Sequence, residues 1–176
     1  MALGLTFSAG GRLPAATMQE INDQVDEIID SVGQTIEKIQ TASVYSPSAT
    51  GAETTSSQVQ LSGACISGYK YRVSYTGGYY GSSANAAGRV RLRYAAGSSI
   101  TTSSTLVPGC VIACGAPTSG GIYPVYIAGV FTATSTGTWT FGATVDRYSG
   151  TGDFGLFSDN GSNAYGRLEI ECVKVA

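Results

Sequence analysis

From residue 41 onward the chain repeats one pattern: apolar side chains at every second position in short runs, with Gly, Ser, Thr or Pro between the runs. A strand turns alternate residues to opposite faces, so such runs suit half-buried strands and do not suit helices. In YKYRVSYT, Tyr69, Tyr71, Val73 and Tyr75 fall on one face and Lys70, Arg72, Ser74 and Thr76 on the other. RVRLRYA sets Val90, Leu92 and Tyr94 against Arg89, Arg91 and Arg93. Further strands are predicted near 105–113, 123–134, 138–145 and 167–175, with a weaker one near 154–158. One or two more follow a polar connector in TASVYSPSATGAETTSSQVQL, where Pro47 and Gly51 act as breakers. TGGYYGSSANAAG reads as a loop, and TSTGTW as a hairpin turn between two strands. About eight antiparallel strands at this spacing predict a mainly β fold, an antiparallel β-sandwich or jelly roll.

Composition narrows the function classes. Gly, Ser and Thr make up over a third of the chain and charged residues only 12%, about half the usual ~25%. That excludes a helical bundle, a coiled coil throughout and a charge-driven disordered tail. The chain has no histidine, which removes the commonest general base and the commonest metal ligand. A net charge of −2 with a pI near 5.0 gives no electrostatic case for nucleic acid. No run approaches the ~18–20 apolar residues of a membrane span, and MALGLTFSAGGRLP has neither the basic nor the apolar region of a signal peptide.

The N-terminal part differs from the rest. Residues 1–13 are Gly-rich, and the alternation of Leu3, Leu5 and Phe7 suits an arm that adds a strand to a neighbour. Residues 14–40 read as the one long helix, with Pro14 in its first turn and Thr17 and Glu20 forming a capping box. Met18, Ile21, Val25, Ile28 and Val32, then Ile39 a heptad later, follow a/d spacing, with Thr35 at the one polar d position and Ile29 and Ile36 widening the stripe. Such a stripe fits either an amphipathic helix packed on its own domain or a short parallel coiled coil between chains. The segment stands apart from the β region, and β-branched residues at both a and d favour trimers or higher, so the coiled coil is the preferred reading. Gly33 weakens it by about 1 kcal/mol relative to Ala, so the remaining domain, 41–176, must help hold the oligomer. Charge is sorted accordingly: residues 1–40 carry a net −4 and residues 41–176 a net +2.

Few motifs suggest chemistry. Cys110 and Cys114 form the one close cysteine pair; Cys65 and Cys172 are single and lie in strand-like runs. A zinc site wants two short-spaced pairs; buried thiols are the expectation, with pairwise disulfides as the alternative, and no metal or cofactor is expected. Glu169 and Glu171 share a face of the last strand. Paired carboxylates can serve glycoside hydrolysis, yet two residues two apart on an outward face suit cross-strand pairing better, with the Arg89, Arg91 and Arg93 row as partner. DNGSN and SGTGD are turn chemistry, and Gly-rich TSGG lacks the Lys of a phosphate loop. No catalytic constellation is legible. Tyr79 and Tyr80 in their Gly/Ser/Asn loop are the candidate surface-binding residues, because Tyr adds contact area at low entropy cost.

A family resemblance adds to this. The segment FSAGGRLPAATMQEI, followed by a short helix and a Ser/Thr-rich β domain, resembles small virion proteins of tailed bacteriophages. In these a TFxAGxxLTAAxLN-type segment precedes a trimeric helix and a jelly-roll-like head. Phe7, Gly10, Leu13, Ala15 and Ala16 match it; GRVRLRYAAG, TSTGTWTF and LEIECVKV are similar to head strands, although the closing V-E-D-like sequence of that group is missing. The resemblance implies a non-enzymatic homotrimeric virion protein, assembled in the host cytoplasm, whose arm and helix meet other virion proteins. Its head would belong to a tail tip or fibre and contact a host cell-surface glycan or protein. The alternatives are a capsid decoration protein or head fibre, and a soluble carbohydrate-binding jelly roll.

Overall fold

The computed structural model describes residue 19 and residues 35–45, 51–158 and 166–174. Eleven strands form among them: β1 (Thr35–Ile39), β2 (Val44–Tyr45), β3 (Glu53–Thr54), β4 (Gln60–Cys65), β5 (Lys70–Gly81), β6 (Ala86–Ala96), β7 (Thr105–Ala116), β8 (Ile122–Thr132), β9 (Gly137–Ser149), β10 (Phe154–Phe157) and β11 (Arg167–Lys174). A single 3₁₀ turn, Ser57–Val59, is capped by the Ser56 hydroxyl, which accepts from the Gln58 amide.

The period-two reading holds at its strongest points. Tyr69, Tyr71, Val73 and Tyr75 of the β5 region and Val90 and Leu92 of β6 are all buried. They face inward between two antiparallel sheets. The first sheet has the order β1-β11-β5-β10-β2, with β8 along the other side of β5; the second has β3-β9-β6-β7, with β4 beside β9. Taking the longer strands, β1-β11-β5-β8 faces β4-β9-β6-β7. Links β4–β5, β5–β6, β7–β8 and β8–β9 each cross from one sheet to the other, which is the winding of a jelly roll. Between the sheets an aromatic cluster brings Phe131 to 4.6 Å from Tyr94, 4.8 Å from Trp139 and 5.1 Å from Phe141, ring centre to ring centre.

The winding corrects the reading of TSTGTW. β8 and β9 lie in different sheets, so this segment crosses the end of the sandwich and is not a hairpin turn. It runs beside the β4–β5 link and is tied to it: the Ser67 amide donates to the Thr136 hydroxyl at 3.0 Å and the Gly68 amide to the Ala133 carbonyl at 2.7 Å. Two crossings side by side satisfy each other's backbone groups, which alternation within either strand does not reveal.

A second correction concerns the expected helix. Residues 1–18 and 20–34 lie outside the described residues, and Gln19 is helical. Thr35–Ile39, however, is strand, paired antiparallel to β11 from Thr35–Glu171 to Ile39–Arg167. The helix therefore does not run to residue 40, and Ile39 is not an a position of it. Three of the five residues TIEKI are β-branched, which favours a strand once a partner ladder is present. The exit is fixed by Gln40, which is buried. Its side-chain carbonyl accepts from the Tyr75 hydroxyl at 2.7 Å, its amide donates to the Ala42 and Leu156 carbonyls, and its backbone N–H donates to Gly166.

Close packing leaves a glycine requirement at Gly88 on the inner face of β6. A Cβ there would collide with the Phe154 ring. Gly115 on β7 has open space at the same position and an ordinary backbone. Gly88→Ala is expected to lower stability by about 1–3 kcal/mol through overpacking, and Gly115→Ala to leave it within about 0.5 kcal/mol. Urea unfolding midpoints compare the two.

Candidate interaction face

The outer faces of the two sheets carry what the alternation excludes from the core. On the second sheet this is an ionic ladder. Asp146 of β9, 1% exposed, accepts from Arg89 (2.5 Å and 3.2 Å) and from Arg91 (2.6 Å). Glu53 of β3 accepts two bonds from Arg93, at 2.7 Å and 2.8 Å, and one from the Thr144 hydroxyl. Arg93 also donates to the Ser104 carbonyl, and Arg89 lies 5.4 Å over the Tyr148 ring. Burial pushes both carboxyls up, but the arginine hydrogen bonds outweigh it and hold Asp146 and Glu53 below the usual carboxylate range.

This corrects the expected partner of the arginine row. Glu169 and Glu171 are on the other sheet: Glu171 pairs with Arg72 at 2.8 Å and Glu169 with Arg167 at 3.4 Å. The signal for the true partners was present, since Asp146 continues the outward set Thr140, Gly142 and Thr144 of β9.

The outer face of the first sheet divides into two halves. Register rows run across it from β1 or β2 to β8. At one end Tyr45, Gly155, Tyr80 and Ile122 form a row, and Phe157, Gly78 and Pro124 the next. Tyr80 lies 5.8 Å from Tyr45 and 6.2 Å from Phe157. A Cβ on Gly78 would meet Ile122 Cγ2 at 2.9 Å, so the missing side chain lets Ile122 lean across β5. The third row is Ile39, Arg167, Thr76 and Tyr126. Beyond it come the charged rows with Glu37, Glu169, Glu171 and Arg72, where Arg167 also bridges to Glu37 at 3.5 Å. A polar depression lined by Thr35, Arg72, Ser74, Glu169 and Glu171 lies there.

The candidate residues are therefore distributed as follows. Tyr79 and Tyr80 belong to β5 and not to a loop, because Lys70–Gly81 is one continuous strand paired with β8 along its length. They point to opposite faces. Tyr79 turns inward, stacked with Tyr123 and Phe154, and donates to the Gly115 carbonyl at 2.9 Å. Tyr80 turns outward into the aromatic rows. Ile39 is 44% exposed on the outer face. Leu3, Leu5, Phe7, Met18, Ile21, Val25, Ile28 and Val32 lie outside the described residues. Cys65, Cys110, Cys114 and Cys172 are buried thiols. Burial pushes Cys65 up to about 12 and Cys114 up to about 11. Among the described residues no group of three or more His, Cys, Asp or Glu side chains is placed to hold a metal ion, and no helix is long and apolar enough to cross a membrane.

No protein-family model matches the chain, and no curated protein matches it. Among solved structures it is similar to the VP2 subviral particle of infectious bursal disease virus, at 13% identity and a TM-score of 0.34. The match covers 80% of this chain and 37% of that one, so the chain spans little more than a third of the VP2 length. A likeness at that level assigns no family.

The ladder has a consequence for pH. Asp146 and Glu53 ionise at lower pH in the folded chain than in the unfolded one, so their contribution is present above the unfolded carboxylate range. It is lost as pH falls through the folded values. Asp146→Asn, which leaves Arg89 and Arg91 without their shared carboxylate, is expected to cost about 3 kcal/mol near neutrality. It should also flatten the acid limb of the stability profile. Denaturation midpoints from neutral to acid pH check both.

Proposed function

We propose that this chain is a non-enzymatic structural protein of a bacteriophage virion. In this reading it is a homotrimer in which residues 1–13 anchor to other virion proteins and the helical segment before residue 35 trimerises. The jelly-roll head forms part of the tail tip or fibre and contacts a host surface glycan or protein.

The observation that carries the reading is how the ionisable groups are used. Of the six carboxylates among the described residues, five are engaged by arginines: Glu37, Glu53, Asp146, Glu169 and Glu171. Asp146 and Glu53, each held by two or more arginine hydrogen bonds, brace strands and are poorly placed to exchange protons during a reaction. The sequence resemblance of FSAGGRLPAATMQEI to tailed-phage virion proteins supports the same role, and a rigid sandwich with buried, poorly ionised thiols suits a particle outside the cell.

Two measurements test it. Ile21→Asp with Ile28→Asp in the full chain is expected to lower the oligomeric mass seen by light scattering; an unchanged trimer refutes the helix assignment. Gold-labelled antibody against the chain, viewed on virions in negative stain, is expected at the tail. Label confined to capsid faces or vertices would instead identify a decoration protein or head fibre, and unlabelled virions would contradict a virion role.

A further inference from the structure

β7 and β8 lie at the same margin of the sandwich, each the last strand of its sheet. They are close enough that a Cβ on Gly129 of β8 would meet Val107 Cγ1 at 2.9 Å and the Pro108 carbonyl at 3.1 Å on β7. No charged residue occurs from Tyr94 through Val145, a stretch that includes both strands whole. Leu106 and Val111 on β7 and Ile122, Tyr126 and Val130 on β8 are 37% to 59% exposed.

Long strands at a sheet edge present unpaired N–H and C=O groups, and proteins protect them with charge, shortness, proline, bulges or cover. The other edges are shorter, and the uncharged one among them, β4, has six residues. β1 is five residues long and carries Glu37 and Lys38, and β2 and β3 are two residues each. β7 and β8, at 12 and 11 residues, have neither charge nor shortness; Pro108 and a register shift break the edge of β7 and Pro124 that of β8, which leaves the runs Val111–Ala116 and Val125–Thr132 without either device. Cover is what remains.

The size of the uncovered strip indicates what covers it. Strands of this length extend about 40 Å, and sheets pack about 10 Å apart. Adding the Ile122, Tyr126 and Val130 column, which turns the corner onto the outer face of the first sheet, gives a strip of about 40 Å by 20 Å. That is on the order of 800 Å², what one partner contributes to a stable protein–protein interface. The column continues without a charged residue into the Tyr45–Tyr80–Phe157 half of that face.

We propose that the β7–β8 margin is the contact between copies of this chain, seated on a different patch of the next copy so that the subunits close a ring. The proposal rests on the trimeric reading above, because a three-membered ring requires contacts between unlike patches. It extends that reading by placing the contact on the head, where the short helix alone is insufficient.

The test uses the full chain and native mass spectrometry over a dilution series. Val111→Lys with Tyr126→Lys is expected to convert the trimer to monomer, or to raise its dissociation concentration by about tenfold or more, with an unchanged far-ultraviolet circular dichroism spectrum. Val111→Ser with Tyr126→Ser, which adds no charge and disturbs folding least, is expected to shift dissociation in the same direction. Lysine and serine variants that both dissociate like the wild type would overturn the proposed contact while leaving the trimer standing. A wild-type chain that is monomeric throughout would overturn the trimeric reading, and this contact with it.

Discussion

Tyr71, Val73 and Tyr75 on β5 face Val90 and Leu92 on β6 across the space between two sheets, and the outer faces follow from that packing. Side chains alternate with a period of two, so burying one set commits the intervening set to the opposite face. On β6 the committed set is Arg89, Arg91 and Arg93; on β5 it is Lys70, Arg72, Ser74, Thr76 and Tyr80. A one-residue slip would bring the arginines into the core, so the same pattern that fills the interior also fixes the register.

The two outer faces then serve different ends. Three arginines in a row need anions, and β9 and β3 supply Asp146 and Glu53 in adjacent register. The ladder runs along the second sheet and ties its carboxylates to the arginine row. The first sheet concentrates its charge on β1, β11 and one end of β5, with aromatic rows at the other end and an uncharged column along β8. A face without charge on long edge strands is a liability in a lone subunit and an asset in an assembly.

Much of this was legible in the sequence, for a reason that also sets the limit. Alternation reports which face of a strand is buried, so the inward sets of β5 and β6 and the existence of β7, β8, β9 and β11 could be read directly. It does not report which strand lies beside which. Alternation alone thus matches Glu169 and Glu171 to the arginine row although they belong to the other sheet, and reads TSTGTW as a hairpin although it crosses between sheets. Thr35–Ile39 shows a different limit: its isoleucines satisfy a heptad and a strand alike, and the ladder with β11 decides. Tyr79 and Tyr80 had the loop composition of Gly, Ser and Asn around them, but full-length pairing with β8 overrode it.

The central claim is that the jelly roll leaves one margin to be covered by another copy of itself. Amide hydrogen exchange of the full-length chain tests this directly, because among the described residues β7 and β8 each pair with a strand on one side only. The account expects their protection at high protein concentration to disappear on dilution below dissociation, while β5 and β6 stay protected throughout. Exchange at the margin that is fast at every concentration, or protection that survives dilution because the chain's own N-terminal segment lies over it, would contradict the account.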